Sequence, residues 1–294
     1  MNHIITPFIE FEFMRHALIS VIFLSLSAVP VGVFLVMRRM SLIGDAMSHA
    51  VLPGAAIGYM FAGLSLPAMS LGGFIAGLLM AAAAGLAGRF STLKEDASFA
   101  AFYLGCLALG VVLVSRNGSS VDLLNLLFGS VLAVDKTSLI LVSIVTSISI
   151  LLLAIIYRPL ILESIDPLFM RTVRARGGLW HLLFLMLVVI NLVAGFQAMG
   201  TLMSVGLMMM PAICARLWVL RIEHVLLTSI AIAIGASILG LLLSFYINLP
   251  SGASIILVLA GFYLCSLIMA PYGMILPHIR SKKHHRTKHD RHDF

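Results

Sequence analysis

The chain has 294 residues, of which 61% are apolar and only 11% charged, with a mean hydropathy of +1.10 and a formal net charge of +7 at pH 7. A soluble domain carries about 25% charged residues, so this composition excludes a soluble enzyme and marks an integral membrane protein. The basic excess sits in short loops and in the tail from Arg280 onward, where it bears on membrane topology and not on nucleic acid.

A spanning helix needs about 20 apolar residues. Runs of that length recur, and no alternation of apolar and polar residues at every second position suggests barrel strands. The first span is predicted at about 16–37, ending at Arg38-Arg39. The second covers about 44–63 and is expected to break at Pro53-Gly54. A Gly- and Ala-rich third span follows at about 68–88, its small residues suited to close helix packing. After the polar loop from Arg89 to Asp96 comes a fourth span, about 97–115. The run from Leu123 to Val134 is apolar but too short to cross, which fits a re-entrant or interfacial piece. Another span lies at about 138–157. The longest polar interruption then runs from Arg158 to Gly178 and contains Glu163, Asp166, Pro167 and Arg171. The stretch 180–217 holds two helices with a break near Gly195 to Gly200. Spans at about 225–246 and 252–271 complete an all-α bundle of eight or nine transmembrane helices. Residues 1–279 form a single transmembrane domain, and 280–294 form a basic, His-rich tail expected to be disordered and cytoplasmic.

Lys and Arg cluster at 38–39, 89–94, 158–176, 216–221 and 280–291. The positive-inside rule places these on the cytoplasmic side, which works with an external N-terminus and nine crossings. No signal peptide is expected, because Glu10, Glu12 and Arg15 precede the first apolar run. This topology puts Asp45 near the cytoplasmic end of its helix, whereas a transport site belongs near the midplane. Either Arg38-Arg39 is drawn into the bundle or the second span begins deeper.

Asp45 and His49 are the candidate metal ligands. At i and i+4 they share one helix face. An ionisable group inside a membrane costs roughly 2.5–3.5 kcal/mol or more, which makes it a functional candidate by default. Carboxylate and imidazole together suit a divalent transition metal. A hydrogen-bonded pair that only joins helices is the plainer alternative. Glu95 and Asp96 open the fourth span, where acidic residues complement the helix dipole. A role in an ion pathway or partner contact is the other reading. The 158–178 loop, with Asp166-Pro167 leading a short helix, is either a charged connection or a docking element for a cytoplasmic motor. Asn191 and Gln197 are expected to hydrogen-bond between helices. Met208 to Met210, Cys106, Cys214 and Cys265 are expected to pack as apolar side chains. The His-rich tail is a lipid-facing basic segment or a weak zinc binder.

Several blocks resemble one family. They are the run from Phe34 to Gly54 containing Gly44-Asp45 and His49, Lys94-Glu-Asp-Ala97, Leu127-Phe-Gly129 and Ser164-Ile-Asp-Pro167. Gln197-Ala-Met-Gly200, Pro211-Ala-Ile-Cys-Ala-Arg216 and Leu249-Pro-Ser-Gly252 follow. In this order they are similar to the permease subunits of bacterial ABC importers for zinc, manganese and iron(II), and they cover nearly the whole chain. The resemblance implies a multi-pass protein of the bacterial inner membrane. It further implies a second permease chain, identical or paralogous, two cytoplasmic ATP-binding subunits and an extracytoplasmic metal-binding protein. It assigns metal coordination to Asp45 and His49 and ATPase coupling to Asp166 and Pro167. No permanently bound cofactor is expected, only the transported zinc, manganese or iron(II). No ATPase activity is expected of the chain, which lacks a phosphate-binding Gly-x-x-x-x-Gly-Lys-Ser/Thr motif. Cys214 departs from the pattern, standing where a small or hydroxyl residue is commoner. A stand-alone secondary transporter or channel is the alternative, and it would need more intramembrane acidic residues. An intramembrane enzyme would need a nucleophile and base that are not visible.

Overall fold

The computed structural model describes residues 2–63, 65–90, 95–116, 134–165 and 177–274. Among them are ten helices: α1 (Asn2–Glu10), α2 (Glu12–Met37), α3 (Ser41–Ala62), α4 (Leu66–Phe90), α5 (Glu95–Arg116), α6 (Lys136–Ile165), α7 (Gly177–Met199), α8 (Thr201–Trp218), α9 (Ile222–Ile247) and α10 (Ser251–Met269). Seven of these, α2, α4 and α6 to α10, are long and apolar enough to cross a membrane. Helix α5 contributes a shorter apolar piece, Phe99–Leu113. Helix α3 is long enough at 22 residues, but Asp45, His49 and Pro53 dilute its hydropathy. The helix that carries the candidate ligands is therefore one that apolarity alone passes over.

Two expectations are corrected. Pro53-Gly54 does not break α3, which is continuous from Ser41 to Ala62. Neighbouring helices hold a proline in place within a membrane bundle. Likewise, the polar interruption does not begin at Arg158. Helix α6 runs on through Pro159 to Ile165, so Arg158 and Glu163 are helical. The 123–133 run, Asp166-Pro167 and the tail from residue 280 lie outside the described residues.

Pairings between helices fix their directions. The Thr146 hydroxyl of α6 donates to the Phe23 carbonyl of α2 at 3.1 Å, and the Tyr157 and Phe34 rings meet edge to face at 5.9 Å. Helices α2 and α6 therefore run parallel. Helix α7 returns, with His181 beside Arg38 and Asn191 bonded to Ser149. Gly200, at φ 87°, ψ 165°, reverses the chain between α7 and α8. That conformation is open essentially only to glycine, which is why the break falls there. Helix α8 packs Met208 against Gly32 of α2 and ends where the Trp218 indole donates to the Ser266 hydroxyl of α10. The nine helices α2 to α10 alternate in direction. Arg38, Arg39, Arg158, Arg216 and Arg221 share one end, the cytoplasmic one by the positive-inside rule.

Helices α2 and α7 are central, their spanning windows 72% buried, against 28% for α4, α6 and α10. Lipid is as apolar as leucine, so packing and polar contacts hold such a bundle together. Asn191 illustrates this: its amide donates to the Ser149 hydroxyl and to the Leu187 carbonyl, each at 2.8 Å. Gln197, expected to act likewise, buries an amide nitrogen with no hydrogen-bond partner. Met208 and Met209 pack in the core as expected, and Cys214 is fully buried there. Cys106 is half-buried and Cys265 faces outward.

Candidate metal site on α3

Helix α2 turns directly into α3. The Met40 N–H donates to the Leu35 carbonyl at 2.9 Å, and Arg39 takes a left-handed φ of 58°. Gly44, in the first turn of α3, faces the methyl ends of Met208 and Met209. Met208 itself packs against Gly32, six residues before Arg38 on α2. The first turn of α3 therefore packs against the part of α8 that also meets α2. At 1.5 Å per residue α3 is about 33 Å long, which puts Asp45 about 6 Å and His49 about 12 Å from its start. His49 thus lies a little over a third of the way along its helix.

His49 Nε2 stands 3.7 Å from Asp45 Oδ1, so the two donors face a common point. The Asp45 side chain is 55% exposed and that of His49 22%. The Ser48 hydroxyl donates to the Asp45 carbonyl at 2.8 Å. The Tyr103 ring of α5 meets the imidazole edge to face at 5.1 Å between centroids. His49 Nδ1 is buried with no hydrogen-bond partner, which leaves Nε2, beside the carboxylate, as the nitrogen open to a ligand. Pro53 has no N–H to offer the His49 carbonyl one turn earlier, so that oxygen lacks its usual helical partner. Among the described residues no group of three or more His, Cys, Asp or Glu side chains converges on one point. The described residues thus supply a pair of side-chain donors, fewer than the four usual for zinc or the six usual for manganese.

Helix α5 runs alongside α3 in the same direction, with Gly110 against Leu52 and Pro53. Glu95 and Asp96 begin it at the same end of the bundle as Asp45, and their side chains lie outside the described residues. The structure does not bring Asp166 or Pro167 into view.

Of the Arg38-Arg39 pair expected to be drawn into the bundle, Arg38 is and Arg39 is exposed. The Arg38 guanidinium bonds Glu163 at 2.7 Å, with side-chain exposures of 7% and 18%. The sequence reading placed Glu163 in a polar loop and so missed this pair. The available signal was a carboxylate in the last turn of a helix, where the dipole disfavours it unless a cation is near. Tyr103 was also missed, since nothing in its apolar surroundings sets it apart.

Residues 10–270 match the ABC 3 transport family. The chain is 34% identical over 289 residues to the "Manganese import system permease protein ScaB" of Streptococcus parasanguinis, covering 97% of this chain and 100% of that one. It is 30% identical to the "Probable iron transport system membrane protein" of Haemophilus influenzae, over 88% of this chain and 94% of that one. Among solved structures, a chain of PsaBC from Streptococcus pneumoniae in complex with Fab superposes with a TM-score of 0.83 at 32% identity, over 95% of this chain and 98% of that one. With its apolar helices, the chain is thus a multi-pass protein of the bacterial inner membrane. It belongs to the ABC 3 transport family.

Proposed function

We propose that the chain is the permease subunit of an ATP-driven importer of a divalent transition metal, with Asp45 and His49 as transient ligands in the pathway. The observation that carries this reading is the 3.7 Å pairing of carboxylate and imidazole on one face of an intramembrane helix. A hard oxygen with an imidazole nitrogen suits manganese, iron(II) or zinc. The names of the relatives favour manganese as the first cargo to test, with iron(II) second. A sparse site suits a transporter, which must release what it binds. The remaining ligands come from a second permease chain, identical or paralogous, from water or from the His49 carbonyl. An extracytoplasmic binding protein delivers the ion. Two cytoplasmic ATP-binding subunits hydrolyse ATP, and the segment containing Asp166-Pro167 receives their motion. Glu95 and Asp96 line the approach to the site or a partner contact. A proton-coupled carrier needs further free carboxylates in the membrane, and Glu163 is committed to Arg38.

The test is uptake of radiolabelled manganese, iron(II) and zinc in cells carrying the complete system. Wild type is compared with Asp45→Ala and His49→Ala at matched membrane abundance. Loss of uptake of one metal supports the site and names the cargo. Undiminished uptake of all three in both variants would remove the pair from the pathway.

A further inference from the structure

Arg38 sits at a three-helix junction. It is the C-cap of α2. Its guanidinium donates to Glu163, in the last turn of α6, at 2.7 Å. A second guanidinium nitrogen lies 3.5 Å from His181 Nδ1, in the second turn of α7, and the group stacks over the Phe184 ring at 4.8 Å. Glu163 lies two residues before α6 ends, and His181 four residues after α7 begins. Both roots of the α6–α7 connection, which contains Asp166-Pro167, therefore meet one guanidinium. On its other side, Arg38 is joined to α3 through Arg39 and Met40 alone. The left-handed backbone at Arg39 and the Met40 to Leu35 hydrogen bond leave that link no slack. Asp45 is seven residues further on.

We infer that the Arg38–Glu163–His181 junction is a positioning element that ties the α6–α7 connection to the metal-ligand helix, so that movement of the connection resets Asp45 and His49. The inference deepens the proposed function and rests on it. Two features distinguish this junction from simple helix adhesion. A carboxylate in the last turn of α6 runs against the helix dipole, so the bundle would be at least as well served by an apolar residue. A buried ion pair, moreover, contributes little stability over apolar replacements of similar volume, while breaking it on one side leaves an uncompensated charge. What the charges provide is direction: one guanidinium, with planar donors pointing several ways, holds three helix ends in a single register.

The same physics supplies the test. The complete importer (permease, ATP-binding subunits and binding protein) is reconstituted in liposomes, and metal moved per ATP hydrolysed is measured. Metal binding without ATP is measured alongside. The variants are Glu163→Gln, which removes the carboxylate's charge from beside the arginine, and the double variant Arg38→Met with Glu163→Met, which removes both charges. The expected result is that the double variant reaches normal abundance, binds metal within about twofold of wild type and still hydrolyses ATP, yet moves at least about tenfold less metal per ATP. Glu163→Gln is expected to lower that ratio as well. A double variant that transports at the wild-type ratio would overturn the inference, because adhesion alone would then explain the pair. Loss of the double variant from the membrane would overturn it too, by assigning the charges to folding. If the wild-type complex moves no metal, or Asp45→Ala transports normally, it is the proposed function that fails.

Discussion

The spacing between α3 and α4 is set by glycines, and adding one methyl group there should displace the metal-ligand helix. A Cβ built on Gly54 would stand 2.7 Å from the Gly72 carbonyl carbon, and the Gly72 oxygen is closer still. Carbon atoms pack at about 3.5–4.0 Å, so Gly54→Ala requires the two helices to part by about 1 Å. Backbone cannot yield as a flexible side-chain end can, and overpacking of this kind costs typically 1–3 kcal/mol. Alanine is better than glycine in a helix by up to about 1 kcal/mol, so the net loss of stability is about 0–2 kcal/mol. Function should suffer more than stability. His49 lies five residues earlier on the same helix, about 7.5 Å along its axis, and a misplacement of about 1 Å in a working constellation costs up to about 10²-fold in rate. Gly54→Ala and Gly72→Ala are each expected to lower metal uptake tenfold or more at normal abundance, since they crowd the same contact from opposite sides. Gly235→Ala and Gly261→Ala, whose Cβ atoms would meet nothing within 4 Å, serve as controls and should be neutral or slightly stabilising. Wild-type uptake in both crowded variants would refute the claim that helix spacing sets the site.

Asp135 caps α6, its carboxylate accepting the Ser138 N–H at 2.8 Å; Asp135→Ala should cost about 1 kcal/mol, read as a lower thermal midpoint in detergent. The Ser138 N–H, and after it the Ser138 hydroxyl, hold that carboxyl below the ordinary carboxylate range. The advantage of wild type over Asp135→Ala is therefore full above about pH 4 and shrinks as pH falls through the lowered value; an advantage that grows on acidification would contradict the cap. Gly200→Ala places a side chain at φ 87°, ψ 165° and should cost about 1–3 kcal/mol, measurable as loss of folded protein on heating. Asn191→Leu removes the bond to Ser149 and should cost about 0.6 and at most about 1.7 kcal/mol, with metal uptake close to normal once abundance is matched.

The bundle was legible because long apolar runs between basic loops leave few arrangements in a membrane. The break expected near Gly195 to Gly200 falls at Gly200, whose backbone conformation is open essentially only to glycine, while the helix runs on through Gly195. Pro53 misled, because proline punctuates helices in water but is held in place when neighbouring helices pack around it. The start of α6 was placed within two residues, but its end at Ile165 lay eight beyond the expected 157. Arg158 and Glu163 look like loop charges until Arg38 is found beside Glu163, 125 residues away in sequence. The Asp45–His49 pairing was visible as an i, i+4 spacing, whereas Tyr103 was not, since contact between α3 and α5 is a property of the packing. A short helix at Asn2–Glu10 also escaped notice, with Pro7 inside it.

Two carboxylates in the long helices, Asp45 and Glu163, face the same physical problem and resolve it differently. A charged group costs roughly 2.5–3.5 kcal/mol or more at the centre of a membrane helix, and less toward its ends. Glu163 is compensated within the chain by a guanidinium at 2.7 Å and is largely buried. Asp45 has an imidazole at 3.7 Å and more than half of its side chain exposed. A residue serving only to join helices would be satisfied as Glu163 is, or as the Asn191 amide nitrogen is by Ser149 and Leu187. Asp45 instead leaves its oxygens open on the face where His49 presents its free nitrogen. The charge that the fold leaves uncompensated is the one available to a passing cation, and the compensated charge lies where the neighbouring helices must keep register with it.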